Sequence, residues 1–116
     1  MRALATLMVL VPLCARLWAQ QPAPTNLQIL KGMSRDDVFV KMQTFTEGLG
    51  VQCTFCHVGQ DFARDDNARK QVARTMLVLA QELNAKFPDG KERITCYTCH
   101  HGERTPKTEP DAKPAQ

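Results

Sequence analysis

The sequence predicts an all-α fold: two main helices joined by a large amount of loop. Three observations predict it. Two stretches carry apolar residues at helical spacing, both are bounded by capping or stop signals, and no stretch alternates convincingly like a strand. At 116 residues the chain amounts to one domain at most.

The chain opens on Met1-Arg2, runs through apolar residues 3–13, and reaches a segment ending Leu17-Trp18-Ala19. A positive start, a short apolar core and a small residue at the cleavage point predict a signal peptide over residues 1–19. The competing reading is an uncleaved anchor, but the run is shorter than the ~20 residues a permanent span requires. Leu17 occupies a place where a small residue is usual. Cleavage after Ala19 leaves 97 residues and removes Arg2 and Arg16, taking the formal charge from +3 to +1. A near-neutral chain does not read as a nucleic-acid binder. Cys14 raises the question of a lipid anchor, and Leu13 before it, where a small residue is wanted, argues against one. The mature chain is expected to be periplasmic or otherwise exported, and soluble.

Residues 20–26 read as a flexible leader. Residues 104–116 hold Pro106, Pro110 and Pro114 among charges, with little to bury, and read as a disordered tail. The working domain is residues 27–103.

The first helix is expected to start at Ser34, whose hydroxyl can cap while Asp37 completes an [ST]-x-x-[DE] box. Asp36 and Asp37 suit the positive end of the dipole. Met33 and Val38 can form a hydrophobic staple. Val38, Met42, Phe45 and Leu49 form the apolar stripe, and Gly48 and Gly50 end the helix. The second helix is expected from Asp65 or Asp66 to about residue 87. Its apolar face holds Ala68, Val72, Met76, Leu79 and Leu83, with Ala73, Leu77 and Ala80 alongside, and Pro88-Asp89-Gly90 stops it. Two helices make a thin core, and a domain this small needs a staple or a group to pack around.

Two copies of one short motif supply that group. Cys53-Thr-Phe-Cys56-His57 and Cys96-Tyr-Thr-Cys99-His100 are both Cys-x-x-Cys-His, the c-type haem attachment pattern. Cysteines three apart on a helical turn lie on one side, so both can reach the vinyl groups of one haem. The histidine that follows supplies the proximal nitrogen to the iron. Short haem-attachment helices therefore join the two main ones, and the cofactors implied are two covalently bound haem c groups. Two disulfides are the bland reading of four exported cysteines, and a four-thiolate zinc site is another. Both leave a histidine after each pair unexplained. A thioredoxin-like motif would need a βαβ setting.

The sixth ligands must come from elsewhere. Of the three histidines, His57 and His100 are proximal, and His101 adjoins His100 too closely to reach the opposite face of the same haem. Methionine is the natural candidate, since Met/His ligation suits electron transfer. Met42 lies mid-stripe on the first helix and Met76 mid-stripe on the second. A methionine on an apolar face serves equally well as core filler. Phe55 and Tyr97 read as porphyrin-edge contacts or ordinary core aromatics. Arg64, Arg69, Lys70 and Arg74 read as propionate partners or solvated helix charges.

The run Met42 … Gly48-Leu49-Gly50-Val51-Gln52-Cys53-Thr54-Phe55-Cys56-His57 resembles the cytochrome c subunit of bacterial photosynthetic reaction centres. So do Asp61-Phe62, Lys70 … Ala73-Arg74-Thr75-Met76, Asn84 and Cys96-Tyr97-Thr98-Cys99-His100-His101-Gly102. The similarity covers about residues 27–102. The resemblance implies a repeated order of helix, attachment motif, helix, attachment motif, with most distal ligands being methionines on the helix before each motif. It therefore favours Met42 and Met76 as ligands. The family's subunit holds two such pairs for four haems, and one of its haems can take a histidine from the other half. This sequence has one pair, which leaves Met76 as the ligand available to the second iron.

The reading is an exported two-haem electron carrier that transforms no substrate. Its expected partners are redox proteins, donor and acceptor, including a membrane complex or an exported dehydrogenase, that dock through small interfaces. The alternative is a two-haem peroxidase or gas-binding haem sensor, which requires one open iron.

Overall fold

The computed structural model describes residues 22–110. The expected signal peptide, Cys14, the first residues of the leader and the end of the tail lie outside the described residues. The order along the chain is α1 (Arg35–Leu49), a 3-10 turn (Cys53–Phe55), α2 (Ala68–Asn84) and α3 (Cys96–His100). Among the described residues there is no strand, as the all-α expectation requires. No helix among them is long and apolar enough to cross a membrane.

Ser34 caps α1. Its hydroxyl accepts from the Asp37 N–H at 3.2 Å and donates to the Asp37 carboxylate at 2.6 Å. Asp36 and Asp37 then lie in the first turn, at the positive end of the dipole. The helix ends at Gly50, which takes the left-handed conformation with φ of 61°. Gly48 is not a terminator. It lies inside α1 and is the one fully buried residue among those described.

α2 starts later than the sequence suggested. Asp65 is drawn off by Lys70 at 2.9 Å and Arg74 at 2.7 Å, and Asp66 pairs with Arg64. The cap falls to Asn67, whose side-chain oxygen accepts from the Arg69 N–H at 3.0 Å. The helix also stops early, at Asn84, and continues to Phe87 as tight turns in which the Lys86 and Phe87 N–H groups donate to Leu83 and Asn84 carbonyls, each at 3.1 Å. Asn84 ends it because its side chain bonds elsewhere. The amide oxygen accepts from Arg93 N–H at 2.8 Å and Ile94 N–H at 2.9 Å, and the amide nitrogen donates to the Ile94 carbonyl at 2.7 Å. One carboxamide thus stands in for a strand neighbour to the extended segment that leads into α3.

α1 packs on α3. A Cβ on Gly48 would stand 2.8 Å from Cys96 Cβ and 2.9 Å from the Tyr97 nitrogen, so only the missing side chain lets the two backbones approach. The Gly102 N–H donates to the Gly48 carbonyl at 3.0 Å, and a Cβ on Gly50 would overlap the Gly102 carbonyl oxygen. Lys41 of α1 reaches Glu92 at 3.0 Å. These contacts join α1, which leads into the first motif, to the second motif and to the segments on both sides of it.

No apolar side chain among the described residues is fully buried. The expected α1 stripe of Val38, Met42, Phe45 and Leu49 is its better-covered side. On α2 the covered apolar residues are Ala73, Leu77 and Ala80, whereas Val72, Met76, Leu79 and Leu83 are 44–57% exposed. The expected α2 stripe thus presents an apolar surface that the described residues leave uncovered.

Candidate functional site

Each Cys-x-x-Cys-His motif forms a single helical turn. In the first, the Cys56 and His57 N–H groups donate to the Cys53 carbonyl at 3.3 and 3.0 Å. In the second, α3 is capped at Thr95, whose N–H donates to the Thr98 hydroxyl at 3.0 Å, and it closes on left-handed His101. Cysteines three apart on such a turn are neighbours on one side. All four thiols are unpaired, with Cys53 and Cys99 exposed and Cys56 and Cys96 half-buried. Burial pushes the Cys56 and Cys96 thiols up, at Cys56 against the pull of Arg69 and Lys70. Both stay protonated at neutral pH. Among the described residues no three His, Cys, Asp or Glu side chains converge as a metal cluster, so the four thiols do not gather as a zinc site would require.

The two motif histidines share one arrangement. His57 Nδ1–H donates to the Phe62 carbonyl at 3.1 Å, and His100 Nδ1–H donates to the Glu103 carbonyl at 2.9 Å. A carbonyl can only accept, so the proton sits on Nδ1 and the lone pair is left on Nε2. A metal-binding histidine is oriented in this way, with its second nitrogen anchored. Burial first, and the Lys70 ammonium second, hold the His57 imidazole below its ordinary range, while the Phe62 carbonyl opposes them. His57 is therefore neutral at neutral pH, the form that binds a metal.

Met42 is half-buried in the middle of α1, and Met76 lies in the middle of the apolar surface of α2, 47% exposed. His101 is exposed, with its ring 5.7 Å from that of Tyr97. Tyr97 is itself 59% exposed, so it is no core aromatic. Phe55 packs under the Arg69 guanidinium, 4.3 Å from the ring centroid. Of the four cations read as propionate partners or solvated charges, Lys70 and Arg74 are neither free nor solvated. Both are nearly covered and share the Asp65 carboxylate. Arg64 pairs with Asp66.

Three residues that support the motifs went unassigned in the sequence. Gly48 looked like a helix stop and is a contact. Asn84 carried no local signal, because its partners lie across the turn that ends α2. Asn67 was the legible one, an asparagine directly before the first apolar position of α2. Its amide nitrogen also donates to the Phe55 carbonyl at 2.9 Å, tying the first motif to α2.

The residues present suit haem c: two pairs of free thiols on single turns, each followed by a histidine whose Nδ1 is anchored on a backbone carbonyl, beside apolar helix surfaces. A family model described as the photosynthetic reaction centre cytochrome c subunit matches residues 18–113. The chain belongs to this family. Its members are electron-transfer cytochromes rather than enzymes. This cytochrome is 40% identical over 91 residues to cytochrome c-554 of Chloroflexus aurantiacus, a match covering 72% of the chain and 22% of that protein. It is 35% identical over 86 residues to the photosynthetic reaction center cytochrome c subunit of Thermochromatium tepidum, covering 71% and 21% of the two chains. The same subunit of Rubrivivax gelatinosus is 31% identical over 86 residues, covering 71% and 23%. The cytochrome thus spans about a fifth of the length of these relatives. No solved structure matches it.

Proposed function

We propose that this cytochrome is an exported electron carrier holding two covalent haem c groups. The observation that carries the proposal is the repeated histidine arrangement: two Cys-x-x-Cys-His turns, each with Nδ1–H anchored on a downstream carbonyl and Nε2 free. Bound haem supplies a one-electron iron couple. The chain supplies the rest. Cys53 and Cys56 anchor one group and Cys96 and Cys99 the other, by thioether bonds. His57 and His100 would each ligate one iron through Nε2. Met42 from α1 and Met76 from α2 would supply the further protein ligands, and a thioether there would favour the reduced state. The apolar surface of Val72, Leu79 and Leu83 around Met76 excludes water from one group. The Gly48–Gly102 backbone bond keeps the two motifs in one unit. Donor and acceptor are redox proteins, a membrane complex or an exported dehydrogenase among them.

The test is a spectrum of the mature protein made with a c-type maturation system, with haem counted per chain and carbon monoxide added to the reduced form. Two covalent haems and no response to carbon monoxide are expected. Met76→Ala should then make one haem high-spin and open to carbon monoxide while two haems stay attached. One haem binding carbon monoxide in the parent protein would turn the reading to a peroxidase or gas sensor. Absence of covalent haem would refute the proposal.

A further inference from the structure

The Phe62 carbonyl serves two donors. It accepts from His57 Nδ1–H at 3.1 Å and from the Lys70 ammonium at 3.2 Å, as its two lone pairs allow. Lys70 is no loose surface cation, since its side chain is only 11% exposed. It also donates to the Ala63 and Arg64 carbonyls and pairs with Asp65, so it is fixed at the inner side of the loop that carries Phe62. Arg74 holds the same carboxylate from the next turn of α2. His100 uses a different carbonyl, that of Glu103.

The hydrogen bond at Nδ1 sets how strongly a histidine donates through Nε2. A good acceptor gives the ring partial imidazolate character and raises its basicity as a ligand. An ammonium on the same oxygen draws density away from it and makes it a poorer acceptor. The ring then donates less to the metal, and the oxidised, more positive iron is stabilised less.

We propose that Lys70 is a positioning residue for the first proximal histidine: by sharing the Phe62 carbonyl with His57 Nδ1–H it raises the reduction potential of the haem held by Cys53, Cys56 and His57 relative to the other. This rests on the two-haem reading. It gives the two sites, built from the same attachment motif, a built-in difference and so a direction to electron flow between them.

The experiment is a potentiometric titration of the holoprotein and of Lys70→Met, Lys70→Gln and Lys70→Arg, with haem counted per chain in each. The two midpoints are assigned through the hyperfine-shifted ring resonances of His57 and His100. Lys70→Met should lower the midpoint of the His57 haem, weakening its reduction about threefold to tenfold, where tenfold is about 59 mV for one electron. The His100 haem should move less. Lys70→Arg should stay near the parent value, and Lys70→Gln, a donor without charge, should fall between. Lys70→Met also unties three loop carbonyls, so if it loses haem the Gln and Arg variants decide. Unmoved midpoints, equal shifts at both haems, or a Lys70→Arg midpoint that drops as far as that of Lys70→Gln would overturn the proposal. Fewer than two haems in the parent protein would overturn the two-haem reading instead.

Discussion

Replacing Gly48 by Ala places a methyl group where α1 meets α3. The new carbon would lie 2.8 Å from Cys96 Cβ and 2.9 Å from the Tyr97 nitrogen. Ordinary contacts between carbons fall at about 3.5–4.0 Å, so the helices must separate by roughly 0.7 Å or more. Neither obstacle is the free end of a flexible side chain: Tyr97 N is a backbone atom, and Cys96 Cβ is bonded directly to its own Cα. Overpacking of this kind costs about 1–3 kcal/mol. Alanine returns up to about 1 kcal/mol of helix propensity at an interior position. Because neither obstacle can swing away, the upper part of the overpacking range applies, about 2–3 kcal/mol, and the net loss is about 1–2 kcal/mol, which lowers Tm by about 4–8 °C per kcal/mol in a domain of this size. The strain falls on Cys96, the first anchor of the second motif, so haem attachment there should drop before attachment at Cys53 and Cys56. Thermal unfolding followed by far-UV circular dichroism, with haem counted per chain, reads both effects. Gln43→Ala, on the exposed side of α1, is the control and should stay within about 0.5 kcal/mol of the parent. A Gly48→Ala protein as stable as the parent, with both haems in place, would mean that α1 and α3 do not approach this closely.

Two further outcomes are expected. Asn84→Ala removes all three bonds to the segment before α3 and leaves the half-buried Ile94 amide without its partner, a loss of about 1–3 kcal/mol; hydrogen exchange at the Arg93 and Ile94 amides should quicken, and unchanged exchange would refute the clamp. Asp65 has its carboxyl held well below the usual range, first by Arg74, then by Asn26 and Lys70. Because the folded value is the lower one, its stabilisation is complete above the ordinary carboxylate range near 4 and fades as the pH falls below it. Melting temperatures followed toward acid should therefore fall more steeply in the parent than in Asp65→Asn, and parallel curves would remove Asp65 from the acid response.

Much of the site is legible in the chain because its chemistry is local. The proposed attachment motif lies within five residues, so Cys53 to His57 and Cys96 to His100 can be read as units without any fold. The Ser34 cap is equally local, for the partner of its hydroxyl is three residues away. The apolar stripe of α2 was also readable as a pattern, but not what it faces: periodicity shows that a side is apolar and leaves open whether protein or a prosthetic group covers it. The second helix was drawn too long at both ends for one reason. Side chains near each end bond away from the helix: Asp65, which reads as a start signal, is taken by Lys70 and Arg74, and Asn84, which carries no stop signal, is taken by Arg93 and Ile94.

The sequence by itself determined the helical class, the four cysteines and two histidines of the two Cys-x-x-Cys-His turns, and the two methionines on the preceding helices. Only the tertiary structure decided that Gly48 is the point where α1 touches α3, that one backbone bond from Gly102 joins the two motifs, and that Lys70 and His57 meet on a single carbonyl. Such meetings depend on where the backbone returns after a loop, and loop closure is set by the sum of many distant contacts rather than by the spacing of neighbouring residues.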